Sequence, residues 1–301
     1  MVLNSLTKVN EYVSLGQQQE LVLLCETRHK QEIDNIYKKI IEKGSHVILV
    51  TGPSSSGKTT FSNVLSNKFE VPPLVLSVDN FFYGGDEIDK TDSNYETFES
   101  IAGVNVELLN ECIYSLLRYE PTNVPRFDFT ANRNIKNDRV VTLRQGQEII
   151  LEGTHAFNEV FVPKLDGKEK FKAFIYVGED FDLGGGEVLT GRDIRLIRRS
   201  VRDQLYRGSK VDRTQTLWGN VVRFEKDFIM PYLESADSVF NTFLAYEPCI
   251  MKTYLDAFLR ECSDLNYTKY IRSLNEKISE FKAIDEGLIP KESLLKEFIR
   301  R

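Results

Sequence analysis

Gly52-Pro53-Ser54-Ser55-Ser56-Gly57-Lys58-Thr59-Thr60 is a complete G-x-x-x-x-G-K-[ST] loop followed by a second threonine. Two glycines let backbone amides wrap closely around phosphate oxygens. The lysine neutralises the β- and γ-phosphates, and the hydroxyl of Thr59 is placed to ligate Mg²⁺. The flanks fit the motif. His46-Val47-Ile48-Leu49-Val50 is a short apolar run suited to a buried strand, and Phe61, Val64 and Leu65 share one face of a helix that opens just after the loop. A helix N-terminus adds its own attraction for phosphate. The loop therefore predicts nucleoside triphosphate binding through Gly52, Pro53, Ser54, Ser55, Ser56, Gly57, Lys58, Thr59 and Thr60.

Outward from the loop, strand-like runs alternate with helical ones. Gln19 to Lys43 reads as a helix, with Leu23, Ile33, Ile36, Ile40 and Ile41 as its apolar stripe and Gly44 as its stop. Strands are expected at Leu74–Val78, Val140–Leu143, Glu148–Leu151, Phe171–Val177 and Ser238–Phe240. Helices are expected at Val106–Tyr119, Arg192–Tyr206 and Thr214–Met230, and the chain from Met251 reads as mostly helical. Gly84 to Ser100 is polar and reads as a mobile loop. This alternation predicts an α/β, three-layer fold with a central, mostly parallel sheet, a helical lid and a helical C-terminal part. Residues 1–44 form an arm and helix, with residues 1–18 packing on the body, and residues 45–301 form the P-loop domain, whose lid spans about 190–213.

Composition narrows the function classes. The 301 residues are 41% hydrophobic and 28% charged, with a formal net charge of −6. That balance disfavours a general nucleic-acid binder, and no apolar stretch approaches a membrane span. Cys25, Cys112, Cys249 and Cys262 are scattered without ligand spacing and read as reduced thiols of a cytoplasmic protein. Charge is uneven, however. Between Thr190 and Arg213 there are eight basic residues and three acidic ones.

Three positions carry chemistry. Asp79 follows the strand Leu74–Val78, and ligands bind at the carboxyl ends of parallel strands; a carboxylate there suits acceptance of an acceptor hydroxyl's proton in phosphoryl transfer, or it caps the next turn. Glu152 ends an apolar strand and pairs with Thr59 as a Mg²⁺ site. His155 is a weaker substrate candidate, since a lone histidine at a strand end is usually a structural hydrogen-bonder. On the basic helix, Arg195, Arg198, Arg199 and Arg202 fall at i, i+3, i+4 and i+7 and share a face, while Ile194, Ile197, Val201 and Leu205 occupy another. Such a stripe is commonly only a solvated face. Beside a nucleotide it also suits the charge of a transferring phosphoryl group, with Arg207, Gly208 and Lys210 letting the helix close as a lid and Asp203 holding an arginine.

These segments together resemble the phosphoribulokinase/uridine kinase family, and more closely its uridine kinase-type nucleoside kinases. The resemblance rests on the loop itself, Ser77-x-Asp79-x-Phe81-x-Tyr83, Pro125-Arg126-Phe127-Asp128-Phe129, Leu151-Glu152-Gly153-Thr154-His155, and Arg195 through Asp203 followed by Arg207-Gly208. It runs from about Asn10 to the C-terminus, whose Ile289-Pro290 through Phe298-Ile299 is similar to the tail of one subgroup. It implies γ-phosphoryl transfer from ATP or GTP, with Mg²⁺, to a small hydroxylated acceptor, most simply the 5′-hydroxyl of uridine or cytidine. Asp79 would be the base, and Lys58 with the arginines the charge stabilisers. Tyr83, Glu96, Arg126, Phe127, Asn132 and His155 would border the acceptor. Three positions depart from the pattern. Glu96 stands for a ribose-contacting aspartate, Phe127 for a tyrosine, and Asn132 for a base-reading histidine, and a changed hydrogen-bonding group changes discrimination. A sugar or sugar-phosphate kinase, or a nucleotide-binding regulator without catalysis, are the competing readings. Residues 1–44 brace the core or mediate homo-oligomerisation, and the sequence does not choose.

Overall fold

Strand β1 (Val47–Thr51) is buried along its whole length, and its side chains alternate between two cores. Ile48 and Val50 enter one apolar cluster with Phe61, Leu65 and Phe240; Val47 and Leu49 enter another with Leu109, Ile113 and Phe174. A strand clothed on both faces must lie inside a layered sheet. The computed structural model, which describes residues 3–85, 100–129, 131–262 and 268–299, shows that sheet. Strands β2 (Leu74–Ser77), β5 (Ile149–Glu152), β6 (Lys170–Tyr176) and β9 (Ser238–Asn241) join β1 in the order β2-β5-β1-β6-β9, every pair parallel. The register sets Val50 beside Glu152 and Ser77 beside Glu152, so the strand ends of β1, β2 and β5 meet at one edge.

Helices cover both faces. Helix α2 (Gln18–Lys43) and α3 (Lys58–Ser66) lie on the first core, and α4 (Val106–Leu117) on the second. Helix α5 (Gly191–Tyr206) starts from a full capping box, Thr190 with Asp193. It turns at Gly208, which has φ +62°, into α6 (Val211–Phe224). The C-terminal part contributes α7 (Glu247–Glu261), α8 (Lys269–Ser279) and α9 (Lys296–Ile299).

Several expectations change. The first residues do pack on the body, and they do so as a helix: α1 (Leu6–Ser14) buries Val9, and just before it Asp182 N donates to Asn4 O at 2.8 Å. The inward stripe of α2 is Leu21, Val22, Cys25, His29, Ile33, Ile36 and Ile40, whereas Leu23 and Ile41 are exposed because they fall off that three-to-four spacing. On α5, Ile194, Ile197 and Val201 are buried but Leu205 is not. Val140 and Val141 belong not to the main sheet but to an antiparallel hairpin, β3 (Thr122–Asp128) with β4 (Arg133–Val141), whose outer strand is largely exposed. A second hairpin, β7 (Phe181–Gly184) with β8 (Glu187–Leu189), precedes the lid. The polar stretch between Gly84 and Ser100, Glu96 included, lies almost wholly outside the described residues.

Candidate active site

The P-loop joins β1 to α3 in a conformation only its sequence allows. Gly52 has φ +151°, and a Cβ there would stand 1.9 Å from Ile175 O. Gly57 has φ +92°, and its Cβ would strike Leu294 at 2.3 Å. Lys58 Nζ donates to Gly52 O at 2.9 Å and Pro53 O at 3.0 Å, folding the lysine over the loop. Among the described residues the buried hydroxyls of Ser55 and Ser56 have no hydrogen-bond partner, an expensive arrangement unless a ligand supplies one.

The loop borders a cleft of about 610 Å³. Its other walls come from far-separated segments: Asp79 and Phe82, Phe129 and Asn132, Glu152 to Thr154, the lid residues Arg199, Arg202, Asp203, Arg207 and Gly208, and Glu297. Asp79 sits on a short 3₁₀ turn just beyond β2. Glu152, at the end of β5, is 7% exposed, and its pKa is pushed up to about 7, by burial first and by the Asp79 charge next, against the pull of Lys58 and a Ser77 hydrogen bond. Such a carboxylate gains from any cation that joins it. Thr59 and Glu152 present hydroxyl and carboxylate oxygens, donors of the kind Mg²⁺ takes, and both border the cleft.

The four lid arginines divide. Arg199 and Arg202 face the cleft: Arg199 Nη1 donates to Ser54 Oγ at 3.0 Å, and Arg202 donates to Asp203 Oδ1 from Nε at 3.1 Å and from Nη2 at 3.0 Å. Burial works against the Asp203 carboxylate, yet Arg202, Arg199 and Arg207 outweigh it and hold its pKa below the ordinary range. Arg207 stacks over Phe129 at 5.2 Å. Arg195 and Arg198 do not line the cleft. Arg195 is 3% exposed and bound to Glu225 at 2.6 Å; Arg198 is fully buried, bound to Glu247 through Nε and Nη2 at 2.7 Å each. Their spare nitrogens reach the back of the loop, Arg195 to Ser54 O at 3.0 Å and Arg198 to Ser55 O at 3.5 Å. At about 100° of rotation per residue, Arg198 and Arg199 stand at the two margins of the stripe and Arg195 and Arg202 lie between them, so angular position alone does not divide the four; the acidic partners Glu225 and Glu247 do. The sequence reading treated all four alike because the acidic partners are distant in the chain.

The other expected acceptor residues are dispersed. Asn132 lines the cleft. Phe127 is buried between Phe82 and Phe129, with ring centroids at 5.8 and 5.0 Å, and so acts on the cleft through those two rings. Arg126 is exposed and pairs with Asp138 at 2.9 Å; Tyr83 and His155 also lie outside the lining. Of the loop residues, Gly52, Pro53 and Ser56 shape the cradle without lining it, and Thr60 is held by Glu297. Glu96 lies outside the described residues. Two participants escaped the sequence reading. Asn134 Nδ2 donates to Asn80 O and Phe82 O at 2.9 and 2.8 Å, docking the β3–β4 hairpin against the Asp79 turn. Glu297 lies 237 residues beyond Thr60, where no local signal marks it.

The model of the phosphoribulokinase/uridine kinase family matches residues 47–245. The chain belongs to this family. Among curated relatives, uridine kinase-like protein 5 of Arabidopsis thaliana is 28% identical over 199 residues, which is 65% of this chain and 39% of that protein. The uridine kinase of Anoxybacillus flavithermus is 28% identical over 195 residues, 64% of this chain and 84% of that one. The uridine kinase of Saccharomyces cerevisiae is 26% identical, and as with the plant protein the chain spans well under half its length, 36%. A solved structure titled a possible uridine kinase from Bacillus stearothermophilus aligns with a TM-score of 0.46 at 20% identity, over 70% of this chain and 98% of that one. The assignment to the phosphoribulokinase/uridine kinase family rests on the family match. The match includes the P-loop, Asp79, Glu152 and the lid, and leaves residues 1–46 and 246–301 outside it. Among the described residues, no helix is long and apolar enough to cross a membrane.

Proposed function

We propose that this kinase transfers the γ-phosphoryl group of ATP, with Mg²⁺, to the 5′-hydroxyl of a pyrimidine nucleoside, uridine or cytidine first. The observation that carries this reading is the convergence in one cleft of the P-loop, Asp79, Glu152 and the lid arginines. A cleft of about 610 Å³ also falls within the volumes that small ligands use. In the proposed reaction, Asp79 accepts the proton of the acceptor hydroxyl as that oxygen attacks the γ-phosphorus. The bond between phosphorus and the β–γ bridging oxygen breaks, and ADP leaves. Lys58, Arg199, Arg202 and Arg207 stabilise charge on the phosphoryl oxygens, an effect of position and electrostatics rather than of covalent chemistry. Thr59 and Glu152 would hold Mg²⁺, which supplies further charge neutralisation between the phosphates. Arg195 and Arg198 are proposed as braces that hold the loop's carbonyls toward α5 and thereby leave its amides to phosphate.

The acceptor wall supports a nucleoside because it pairs aromatic faces, Phe82 and Phe129, with one amide, Asn132, able to read a base edge. A sugar or sugar-phosphate acceptor is the second reading, favoured by the further cation Arg213 in the same cleft. ADP release from Mg-ATP separates the two when uridine, cytidine, other nucleosides, ribose and ribulose 5-phosphate are supplied in turn. Strong stimulation by uridine or cytidine is expected. Stimulation by a sugar alone would replace the nucleoside reading with the second.

A further inference from the structure

The carboxylate of Glu297 occupies donors that an anion at a helix N-terminus would claim. Its Oε2 accepts from Thr60 N at 3.1 Å and from Thr60 Oγ1 at 2.7 Å. The amide of Thr60 belongs to the first turn of α3, where backbone N–H groups have no partner within the helix and attract phosphate. Glu297 itself borders the cleft. A negative side chain thus sits at the edge of the cleft where a polyanion must bind. The rest of the C-terminal segment is not loosely held. Leu294 packs against Gly57, Leu295 and Phe298 are fully buried, and Arg198 stacks on the Phe298 ring at 5.2 Å. The Glu297 side chain itself is only half-buried, between neighbours anchored in the core.

We propose that Glu297 is a nucleotide-displaced residue of the phosphate site: it holds the Thr60 amide and hydroxyl until a nucleotide's phosphate takes them over. The inference rests on the nucleotide-binding reading of the P-loop and adds to it a residue that sets affinity. An acidic side chain in this place makes binding weaker and selects for ligands with enough phosphate charge and hydrogen bonding to displace it. It also couples the C-terminal segment to the state of the site.

The test compares Mg-ATP binding by calorimetry in the unaltered protein and in Glu297→Gln, together with the thermal midpoint of each without nucleotide. The variant should bind ATP roughly tenfold tighter, as expected from removing one like charge a few ångströms from a phosphate in a partly hydrated site. Its midpoint without nucleotide should be equal or lower, because the charge-assisted bonds to Thr60 are weakened. A residue with a purely structural role would lower the midpoint without tightening the nucleotide. In the unaltered protein, carbodiimide-driven labelling of Glu297, read by mass spectrometry, should rise when Mg-ATP is added. ATP bound equally well or more weakly by the variant, or labelling that stays flat or falls while ATP binds, would overturn the proposal and leave the nucleotide site intact. Absence of ATP binding in both proteins would overturn the nucleotide reading and this proposal with it.

Discussion

Arg198 and Arg199 are adjacent in sequence, chemically identical and set in opposite surroundings. Arg198 is fully buried against Glu247, which is itself 2% exposed, so deleting the guanidinium strands a carboxylate in the interior. Arg198→Ala should therefore cost about 3–5 kcal/mol of stability, read from denaturant unfolding. Arg199 borders the cleft and touches Ser54 Oγ. Arg199→Ala should cost clearly less stability, since its partner Asp203 keeps Arg202 and Arg207, and should lower turnover on the order of 10²-fold, with a smaller effect on nucleotide affinity. Equal losses of stability in the two variants would erase the distinction. At this scale the sequence is partly legible. The residue types in Gly52 to Thr60, Asp79 and Glu152 each carry a local reason for their place in the cleft. The split between the two arginines does not, since it is decided by Glu225 and Glu247, which reach α5 only through the tertiary fold.

Among the elements, α2 shows both the strength and the limit of periodicity. Its ends, Gln18 and Lys43, lie within one residue of the expected span, because Gly44 in the left-handed region (φ +66°) gives the stop a physical cause. Its inward stripe was misjudged at Leu23 and Ile41, and His29 was not anticipated as a core residue. His29 is 4% exposed, donates Nε2–H to Phe243 O at 3.1 Å and packs edge-on to Phe240. Burial first, and then the charges of Arg28 and Arg198, push its pKa down to about 3. The folded state therefore binds fewer protons than the unfolded state between that value and the ordinary pKa near 6.5. The stability owed to neutral His29 is complete above about pH 6.5 and drains away as the pH falls toward 3. Unfolding free energies measured from pH 7.5 to pH 4.5 should fall less steeply in His29→Gln, which keeps a donor for Phe243 O but cannot titrate; the difference should reach about 3 kcal/mol near pH 4.5. Parallel pH profiles would show that another group carries the acid sensitivity. The β3–β4 hairpin was harder to read, because its outer strand is exposed and lacks the apolar alternation that marks a half-buried strand.

Across the whole molecule, the cleft is assembled from strand ends, a lid and a C-terminal segment that are far apart in the chain. The parallel order of the sheet was legible from the alternation of strands with helices, and the topology then brings Asp79 and Glu152 to the edge where the P-loop lies. The shared core was not legible: side chains of α1, α2 and the last residues join the cluster that backs α3, although residues 1–46 and 246–301 fall outside the family match. Long-range packing of this kind leaves no periodic trace. We propose that this assembly positions Asp79 to take the proton of an acceptor hydroxyl. It is tested most directly by comparing single-turnover phosphoryl transfer and Mg-ATP affinity in Asp79→Asn and the unaltered protein, using the acceptor that most stimulates ADP release. Transfer should slow by at least about 10²-fold while ATP affinity changes little. Transfer at the unaltered rate would remove Asp79 from the chemistry and contradict the account.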